Sequence, residues 1–145
     1  MGARLPEATP AAPRVEVWVV AGILHDAQER VLIAQRPAGK PLAGWWEFPG
    51  GKIAAGESAQ AALARELDEE LGVRLVSARP FLELTHDYPD RRVHLAVWRV
   101  DQYDGEPRGR EGQNLKWLPA AALGDEDLLP ADLPIVQQLN AEAGR

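Results

Sequence analysis

Four acidic side chains are crowded into five consecutive positions of the sequence. They are Glu66, Asp68, Glu69 and Glu70, and Arg65 immediately precedes them. Carboxylates this close together repel one another unless one binds a proton or a divalent cation lies among them. Mg²⁺ and Mn²⁺ prefer oxygen ligands of this kind, whereas zinc prefers nitrogen and sulfur. The pattern therefore predicts a site for a hard divalent cation, which commonly accompanies a phosphate-bearing substrate.

A helix is predicted to position these carboxylates. Leu63, Leu67 and Leu71 recur every four residues, and Ser58 and Gly72 are typical of the two ends of a helix. On a helix that starts at Ser58 and runs to Leu71, the three glutamates fall within an arc of about 100° beside the leucines. The sequence therefore predicts three carboxylates on one face, next to the core. An acidic, solvated helix face without a site is the alternative hypothesis.

Neighbouring residues favour a site over a merely acidic surface. Arg65 could orient a carboxylate through a bidentate ion pair. Glu57 stands at the start of the helix, where its charge suits the helix dipole and where it could reach the acidic cluster. The preceding segment, FPGGK, supplies two glycines whose backbone could approach an anion or ligate a metal through a carbonyl.

The rest of the chain predicts a small domain that mixes strands and helices. Strand-like runs cover residues 14–24, 31–37, 74–88, 91–100 and 114–119, and a final helix is predicted from about residue 132. The turn YPDR between the third and fourth runs predicts a hairpin. Because the elements mix without βαβ regularity, we expect the α+β class, with a mixed or antiparallel sheet and helices on its faces.

Length and composition exclude several classes of protein. The 145 residues, 46% of them apolar, suffice for one buried core. A net charge of −6 disfavours passive adhesion to a nucleic-acid polymer or an anionic membrane, and the lack of cysteine excludes disulfides and thiolate zinc sites. We expect a cytoplasmic protein in which residues 1–13 form a flexible tail and residues 14–145 form a single domain.

The acidic cluster belongs to a longer motif, which resembles the Nudix box G-x5-E-x7-R-E-U-x-E-E-x-G-U, where U is apolar. The sequence fits this pattern at every position from Gly51 to Val73. Outside the box, the segments LIAQRP, WEFPGGK, YPDRR, DGEPRGREGQ and LPADLPIV resemble the MutT-type 8-oxo-dGTP diphosphatases among the Nudix hydrolases. The resemblance implies a Nudix α/β/α sandwich around a mixed β-sheet, which agrees with the α+β expectation.

The resemblance also implies a catalytic centre with Mg²⁺, or Mn²⁺ as the alternative. The implied ligands are the carbonyl of Gly50 and the carboxylates of Glu66, Glu69, Glu70 and Glu111, and the four glutamates are the expected catalytic residues. Glu66 and Glu111 are candidates for the general base. Glu57 and Arg65 are expected to be structural or orienting residues, and a ligand role stays open for Glu57.

A nucleoside triphosphate is the implied substrate, with attack at the β-phosphorus giving a monophosphate and pyrophosphate. The residues implied to contact it are Arg36, Glu47, Phe48, Arg91 and Asp132. Related enzymes typically have Asn where this chain has Asp132. An ionised Asp cannot donate to O6 of 8-oxoguanine, so Asp132 is either protonated or recognises another base. As an alternative, Asp132 is a good N-cap for the last helix.

The main functional prediction is Mg-dependent conversion of 8-oxo-dGTP to 8-oxo-dGMP, which serves nucleotide-pool sanitation and mutation avoidance. The segments AQRP, WEF and PADLP also resemble CTP pyrophosphohydrolases of the same family, so a pyrimidine nucleotide is the alternative substrate. A non-catalytic ligand-binding domain is a weaker alternative, because such domains usually lose box glutamates. We expect a monomer that binds neither a nucleic-acid polymer nor a membrane.

Overall fold

The computed structural model describes residues 15–143, and the predicted flexible tail lies outside them. The strands are β1 (Val15–Ile23), β2 (Val31–Gln35), β3 (Trp46–Glu47), β4 (Gly50–Lys52), β5 (Arg74–Tyr88), β6 (Arg91–Asp104) and β7 (Leu115–Leu118), and the α-helices are α1 (Ala59–Leu71) and α2 (Leu133–Ala143). Two 3₁₀ helices, Ala120–Asp125 and Pro130–Asp132, lead from β7 to α2. In the part of the chain described, no helix is long and apolar enough to cross a membrane.

The strands form a mixed four-stranded sheet and a smaller antiparallel one. The larger sheet has the order β4-β1-β6-β5 and the smaller has the order β3-β2-β7. Strands β1 and β6 run parallel, whereas the other pairs are antiparallel. Strands β5 and β6 form the long hairpin predicted around YPDR.

The two α-helices cover opposite faces of the larger sheet. Successive side chains of a strand point to opposite faces, so β1 contributes to two hydrophobic clusters. Val20 packs with Leu67 of α1 in one cluster. Ile23 packs in the other cluster with Ile135 and Leu139 of α2. This arrangement confirms the predicted α+β sandwich.

Helix α1 has the predicted ends and the predicted buried face. The Ser58 hydroxyl accepts a hydrogen bond from the amide of Ala61 at 3.1 Å and caps the first turn. Gly72 adopts a left-handed conformation with φ 71°, and its amide donates to the carbonyl of Asp68. The three leucines of the predicted ridge are 0% exposed. Each contributes about 2 kcal/mol by burial and fixes which face of the helix carries the glutamates.

The glycine pair of FPGGK forms strand β4, which pairs antiparallel with β1. A Cβ atom at Gly50 would lie 2.0 Å from the carbonyl oxygen of Val20. Such an approach is sterically impossible, so this position must be glycine for the two backbones to pair. The pair thereby anchors the segment in the sheet beside the acidic face of α1.

Candidate active site

Arg65 forms hydrogen bonds to several carboxylates at the start of α1 and along its acidic face. Its Nε and Nη2 atoms donate to the two carboxylate oxygens of Glu57 at 2.8 and 2.9 Å, and Nη2 also donates to the carbonyl of Lys52 at 2.9 Å. Its Nη1 atom donates to Glu66 at 3.0 Å and to Glu69 at 3.3 Å. One guanidinium therefore contacts three carboxylates and a strand carbonyl, which is the geometry of an orienting residue.

Both carboxylate oxygens of Glu57 are already engaged. Besides the two bonds from Arg65, Oε1 accepts from the amide of Ala54 at 2.9 Å. These hydrogen bonds, that of Arg65 first, lower the pKa of Glu57 to about 2. The geometry therefore favours a structural role for Glu57 over the ligand role that the sequence left open.

The carboxyl group of Glu66 occupies the space in front of Gly51. A Cβ atom at Gly51 would lie 2.4 Å from the carboxyl carbon and 2.5 and 2.6 Å from its oxygens. The first glycine of the motif therefore makes room for a carboxylate. Burial raises the pKa of Glu66, while the hydrogen bond from Arg65 opposes the rise.

Glu70 is the most strongly perturbed carboxyl group in the cluster. Burial, and then the charges of Glu47, Glu66 and Glu111, raise its pKa to about 9. Among the described residues, the one hydrogen bond to its carboxylate comes from the amide of Gly50, at 3.2 Å. A half-buried carboxyl group without a cationic partner, surrounded by like charges, is a place where a bound cation would be strongly stabilised.

Glu111 approaches the cluster from the loop between β6 and β7. Its charge contributes to the raised pKa values of Glu66 and Glu70. Its side chain is 42% exposed, and Oε1 lies 4.0 Å from Nζ of Lys40. Lys40 was missed by the sequence analysis, because a lone lysine in a Gly- and Pro-rich loop carries no pattern.

The donor set fits a divalent cation in charge and in ligand type. Within residues 15–143, however, no three acidic, His or Cys side chains are already arranged around a common point as in a bound metal site. Glu69 is 54% exposed and contacts Arg65. Because an exposed side chain can change between staggered rotamers, the carboxylate of Glu69 can turn from Arg65 toward a cation.

A second group of predicted residues surrounds Glu47 at the end of β3. Nη1 of Arg36 donates to both carboxylate oxygens of Glu47 at 3.1 and 3.2 Å, and its Nε donates to the carbonyl of Pro41 at 2.7 Å. Burial raises the pKa of Glu47 even though Arg36 opposes the rise. Two residues predicted to contact the nucleotide are thus paired with each other at the edge of the site.

Asp132 is buried, with 6% of its surface exposed. Its Oδ2 accepts a hydrogen bond from the amide of Phe48 at 3.2 Å, so this contact replaces the N-cap role that was the alternative prediction. Helix α2 begins one residue later, directly after a 3₁₀ turn that contains Asp132. Burial, followed by the charge of Glu47, raises the pKa of Asp132 to about 7.

The second oxygen of Asp132 remains available. Every fully buried side-chain nitrogen or oxygen among the described residues has a hydrogen-bond partner. No described group forms a hydrogen bond to Oδ1 of Asp132. This oxygen is therefore not fully buried, because a fully buried oxygen without a partner would break that rule. It can therefore contact a ligand while Oδ2 keeps its bond to the backbone.

The remaining predicted contacts differ in their surroundings. The ring of Phe48 is 3% exposed and packs in the core, so the direct nucleotide contact predicted for it is not provided by the ring. The guanidinium of Arg91 lies over the ring of Tyr88, 4.7 Å from its centroid. Burial raises the pKa of Tyr88, and the charge of Asp132 adds to the rise, so the two groups lie within electrostatic range of each other. The sequence analysis placed Tyr88 at the end of a strand and in the turn that follows, without a role in the site.

Comparison with known proteins shows the family of the chain. The NUDIX domain family matches residues 20–138. An 8-oxo-dGTP diphosphatase of Escherichia coli (strain K12) is 36% identical over 124 residues, which cover 86% of this chain and 96% of that protein. A CTP pyrophosphohydrolase of the same strain is 37% identical over 125 residues, covering 86% and 92%. A solved structure from a study of MutT from Aliivibrio salmonicida and Vibrio cholerae aligns with a TM-score of 0.76 at 36% identity, covering 88% of this chain and 98% of that one.

Proposed function

This chain belongs to the NUDIX domain family, and we propose that it hydrolyses 8-oxo-dGTP to 8-oxo-dGMP and pyrophosphate. The observation that carries the proposal is the environment of Glu70. Its carboxyl group is surrounded by three other carboxylates, which come from three separate segments of the chain. Carboxylates this close together hold a proton on Glu70 in the absence of a metal, and a divalent cation can take the place of that proton.

Nudix hydrolases use a divalent cation, and we propose that here it is Mg²⁺. The residues that would hold it are the carbonyl of Gly50 and the carboxylates of Glu66, Glu69, Glu70 and Glu111. When bound, the cation would neutralise phosphate charge and acidify a coordinated water. Glu66 or Glu111 would accept the proton of the attacking water as its oxygen bonds to the β-phosphorus and the bond from that phosphorus to the α–β bridging oxygen breaks.

Asp132 is proposed to recognise the base in its protonated form. Near its pKa of about 7 a large fraction of the side chain is neutral at physiological pH. A carboxylic acid donates one hydrogen bond and still accepts others. 8-Oxoguanine offers O6 as an acceptor and N7–H as a donor along one edge, whereas guanine has a bare N7. Protonated Asp132 therefore matches the oxidised base and leaves one bond unmade with the normal base.

The same carboxylic acid also fits cytosine, so CTP is the second candidate substrate. The Watson–Crick edge of cytosine presents N3 as an acceptor and the N4 amino group as a donor. A protonated Asp132 can donate to the first and accept from the second, as it would with O6 and N7–H of 8-oxoguanine. The similarity of this chain to a CTP pyrophosphohydrolase supports CTP as the second candidate. The chemistry at the carboxylate cluster would be identical for either base.

A substrate panel tests the proposal. Pyrophosphate release is measured with Mg²⁺ on 8-oxo-dGTP, dGTP, CTP, 5-methyl-dCTP and dATP, with Glu70→Gln as the inactive control. We expect kcat/KM for 8-oxo-dGTP to exceed that for dGTP by at least about 100-fold, equivalent to about 3 kcal/mol. A preference for CTP would establish the second candidate, and a panel without turnover would contradict both. Unchanged discrimination in Asp132→Ala would remove Asp132 from base recognition.

We also infer that the enzyme works as a monomer in the cytoplasm. The long edge strand β5 carries Pro80 and several register shifts against β6. Proline and bulges protect an edge strand from pairing with another chain. Light scattering should therefore give the mass of one chain, 15.9 kDa, and a stable dimer would contradict this inference.

A further inference from the structure

Gln113 connects the two parts of the chain that carry the carboxylates. Together with Asp132 it is one of two buried polar side chains among residues 15–143. Its Oε1 accepts from the amide of Glu111 at 2.8 Å, and its Nε2 donates to the carbonyl of Glu70 at 3.2 Å. A single carboxamide thus bonds to the backbone of a loop glutamate and to the backbone of a helix glutamate.

The loop that contains Glu111 is built against the end of α1. The last carbonyls of an α-helix have no partner within the helix. Here the carbonyl of Leu71 accepts from the amide of Arg108 and the carbonyl of Glu70 from the amide of Arg110, both at 3.0 Å. Nη1 of Arg110 donates to the carbonyl of Asp68 at 2.9 Å. The loop therefore caps the helix, and Gln113 completes this set of bonds.

The loop also folds tightly over Gln113 itself. A Cβ atom at Gly109 would lie 2.1 Å from the carbonyl oxygen of Gln113 and 3.2 Å from its Oε1. Only glycine permits this approach, so the loop packs closely against both the backbone and the side chain of Gln113. The side chain is therefore held in one place, which a positioning role requires.

We propose that Gln113 is a positioning residue that holds the Glu111 loop against the last turn of α1, so that the Glu111 carboxylate stays with the helical glutamates. The inference rests on the proposed function only for the role of Glu111 in hydrolysis. The structural part, that the carboxamide fixes the backbone of Glu111, can be measured without a substrate.

The first test measures the backbone of Glu111 directly. Hydrogen exchange of the Glu111 amide is followed by NMR in wild type, in Gln113→Met and in Gln137→Met, where Gln137 is an exposed residue of α2. We expect exchange in Gln113→Met to be at least about 10-fold faster, because the amide loses its acceptor. The control should exchange like wild type. Unchanged protection in a folded Gln113→Met would overturn the proposal.

Gln113→Glu separates the two bonds of the carboxamide and serves if Gln113→Met does not fold. A carboxylate still accepts from the Glu111 amide but cannot donate to the carbonyl of Glu70. We expect the Mn²⁺ affinity, measured by electron paramagnetic resonance, to fall relative to wild type, because the loop loses its bond to the Glu70 carbonyl. A folded Gln113→Glu with the Mn²⁺ affinity of wild type would show that this bond does not hold the Glu111 carboxylate at the helix, and the proposal would fail.

Kinetics then test whether Gln113 acts through Glu111. For Gln113→Met we expect kcat to fall about 10- to 100-fold, as for residues that orient metal ligands, and KM to stay within about two-fold. The double variant Glu111→Gln/Gln113→Met should be no slower than Glu111→Gln alone. Additive losses in kcat would show that Gln113 does not act through Glu111.

The outcomes distinguish this inference from the proposed function. If wild type hydrolyses no nucleotide, the proposed function fails, but the exchange of the Glu111 amide still decides the structural part. If Glu111→Gln retains full activity, Glu111 has no catalytic role and the positioning proposal is overturned even where the loop contact is real.

Discussion

Replacing Asp132 by Asn should stabilise the protein at alkaline pH and have little effect at acid pH. The pKa of Asp132 is raised from 3.8 to about 7, because the side chain is buried and lies near the charge of Glu47. The folded protein therefore binds a proton that the unfolded chain releases. Below pH 3.8, the pKa of Asp132 in the unfolded chain, both states bind the proton and folding loses no stability at this group. As the pH rises from there to about 7, its pKa in the folded protein, the free energy of unfolding falls. Asparagine does not titrate, so it escapes the loss.

The size of the effect follows from the shift in pKa. A shift from 3.8 to about 7 corresponds to about 4 kcal/mol in total, at about 1.4 kcal/mol per pH unit. About half of this, on the order of 2 kcal/mol, falls between about pH 5.5 and about pH 8. Asparagine keeps an oxygen that can accept from the amide of Phe48, so the hydrogen bond at 3.2 Å need not be lost. The difference in stability between variant and wild type should therefore grow by about 2 kcal/mol across this range.

Urea unfolding monitored by tryptophan fluorescence measures this difference, since the chain contains 5 Trp. Titrations at about pH 5.5, 7 and 8 should be made with EDTA, so that cation binding does not contribute. Other titrating groups, such as Glu70 and His25, are present in both proteins and largely cancel in the difference. Asp125→Asn is the matched control, because Asp125 is exposed in the segment before Asp132.

A difference in the free energy of unfolding that stays constant with pH would refute the argument. It would show that Asp132 is ionised in the folded protein, and the proposed donation to the base would then fail as well. A difference that grows equally in Asp125→Asn would show that the effect comes from the net charge of the protein. Only growth confined to Asp132→Asn supports a protonated, buried acid.

Three further predictions concern the helix and its surroundings. Glu70→Gln should reduce kcat by at least about 100-fold and abolish stabilisation by Mg²⁺ in thermal melts. The metal-free variant should melt no lower than wild type, because the raised pKa of Glu70 destabilises the folded state at neutral pH and Gln does not titrate; a lower melting temperature would contradict this. Gly51→Ala should displace the carboxyl group of Glu66, so that kcat falls at least about 10-fold. The free energy of unfolding in urea should change by about 1 kcal/mol or less. Full activity in this variant would show that the added methyl group does not displace Glu66. Leu67→Ala should cost about 2 to 5 kcal/mol in urea unfolding, since its side chain is 0% exposed; a loss well below 1 kcal/mol would place the leucine ridge outside the core.

The acidic half of the site was predictable because its information is local. The spacing of Leu63, Leu67 and Leu71 determines which face of α1 is buried, and that choice determines where the neighbouring glutamates point. The two helix ends depend on single residues with well-known conformational preferences, namely Ser58 and Gly72. Secondary structure, helix face and carboxylate clustering therefore follow from about fifteen consecutive residues.

The half of the site around Asp132 was less predictable because its contacts join distant parts of the chain. Asp132 has good N-cap chemistry, yet its bond goes to the amide of Phe48, 84 positions away. Gly50 and Gly51 suggested freedom to approach a ligand, but they are glycines because Val20 and the Glu66 carboxyl group occupy the space of a side chain. No local pattern predicts which atoms another element will place against a given residue.

Glu47 joins the two halves electrostatically. Its charge raises the pKa of Glu70 in the carboxylate cluster and the pKa of the buried Asp132. Its own carboxylate is held by Arg36, so the position of this charge is fixed. Any change that neutralises Glu47 must therefore lower both pKa values together. The acid that would recognise the base and the carboxylates that would carry out hydrolysis are thus not independent: the protonation state of one half depends on the charge of a residue shared with the other.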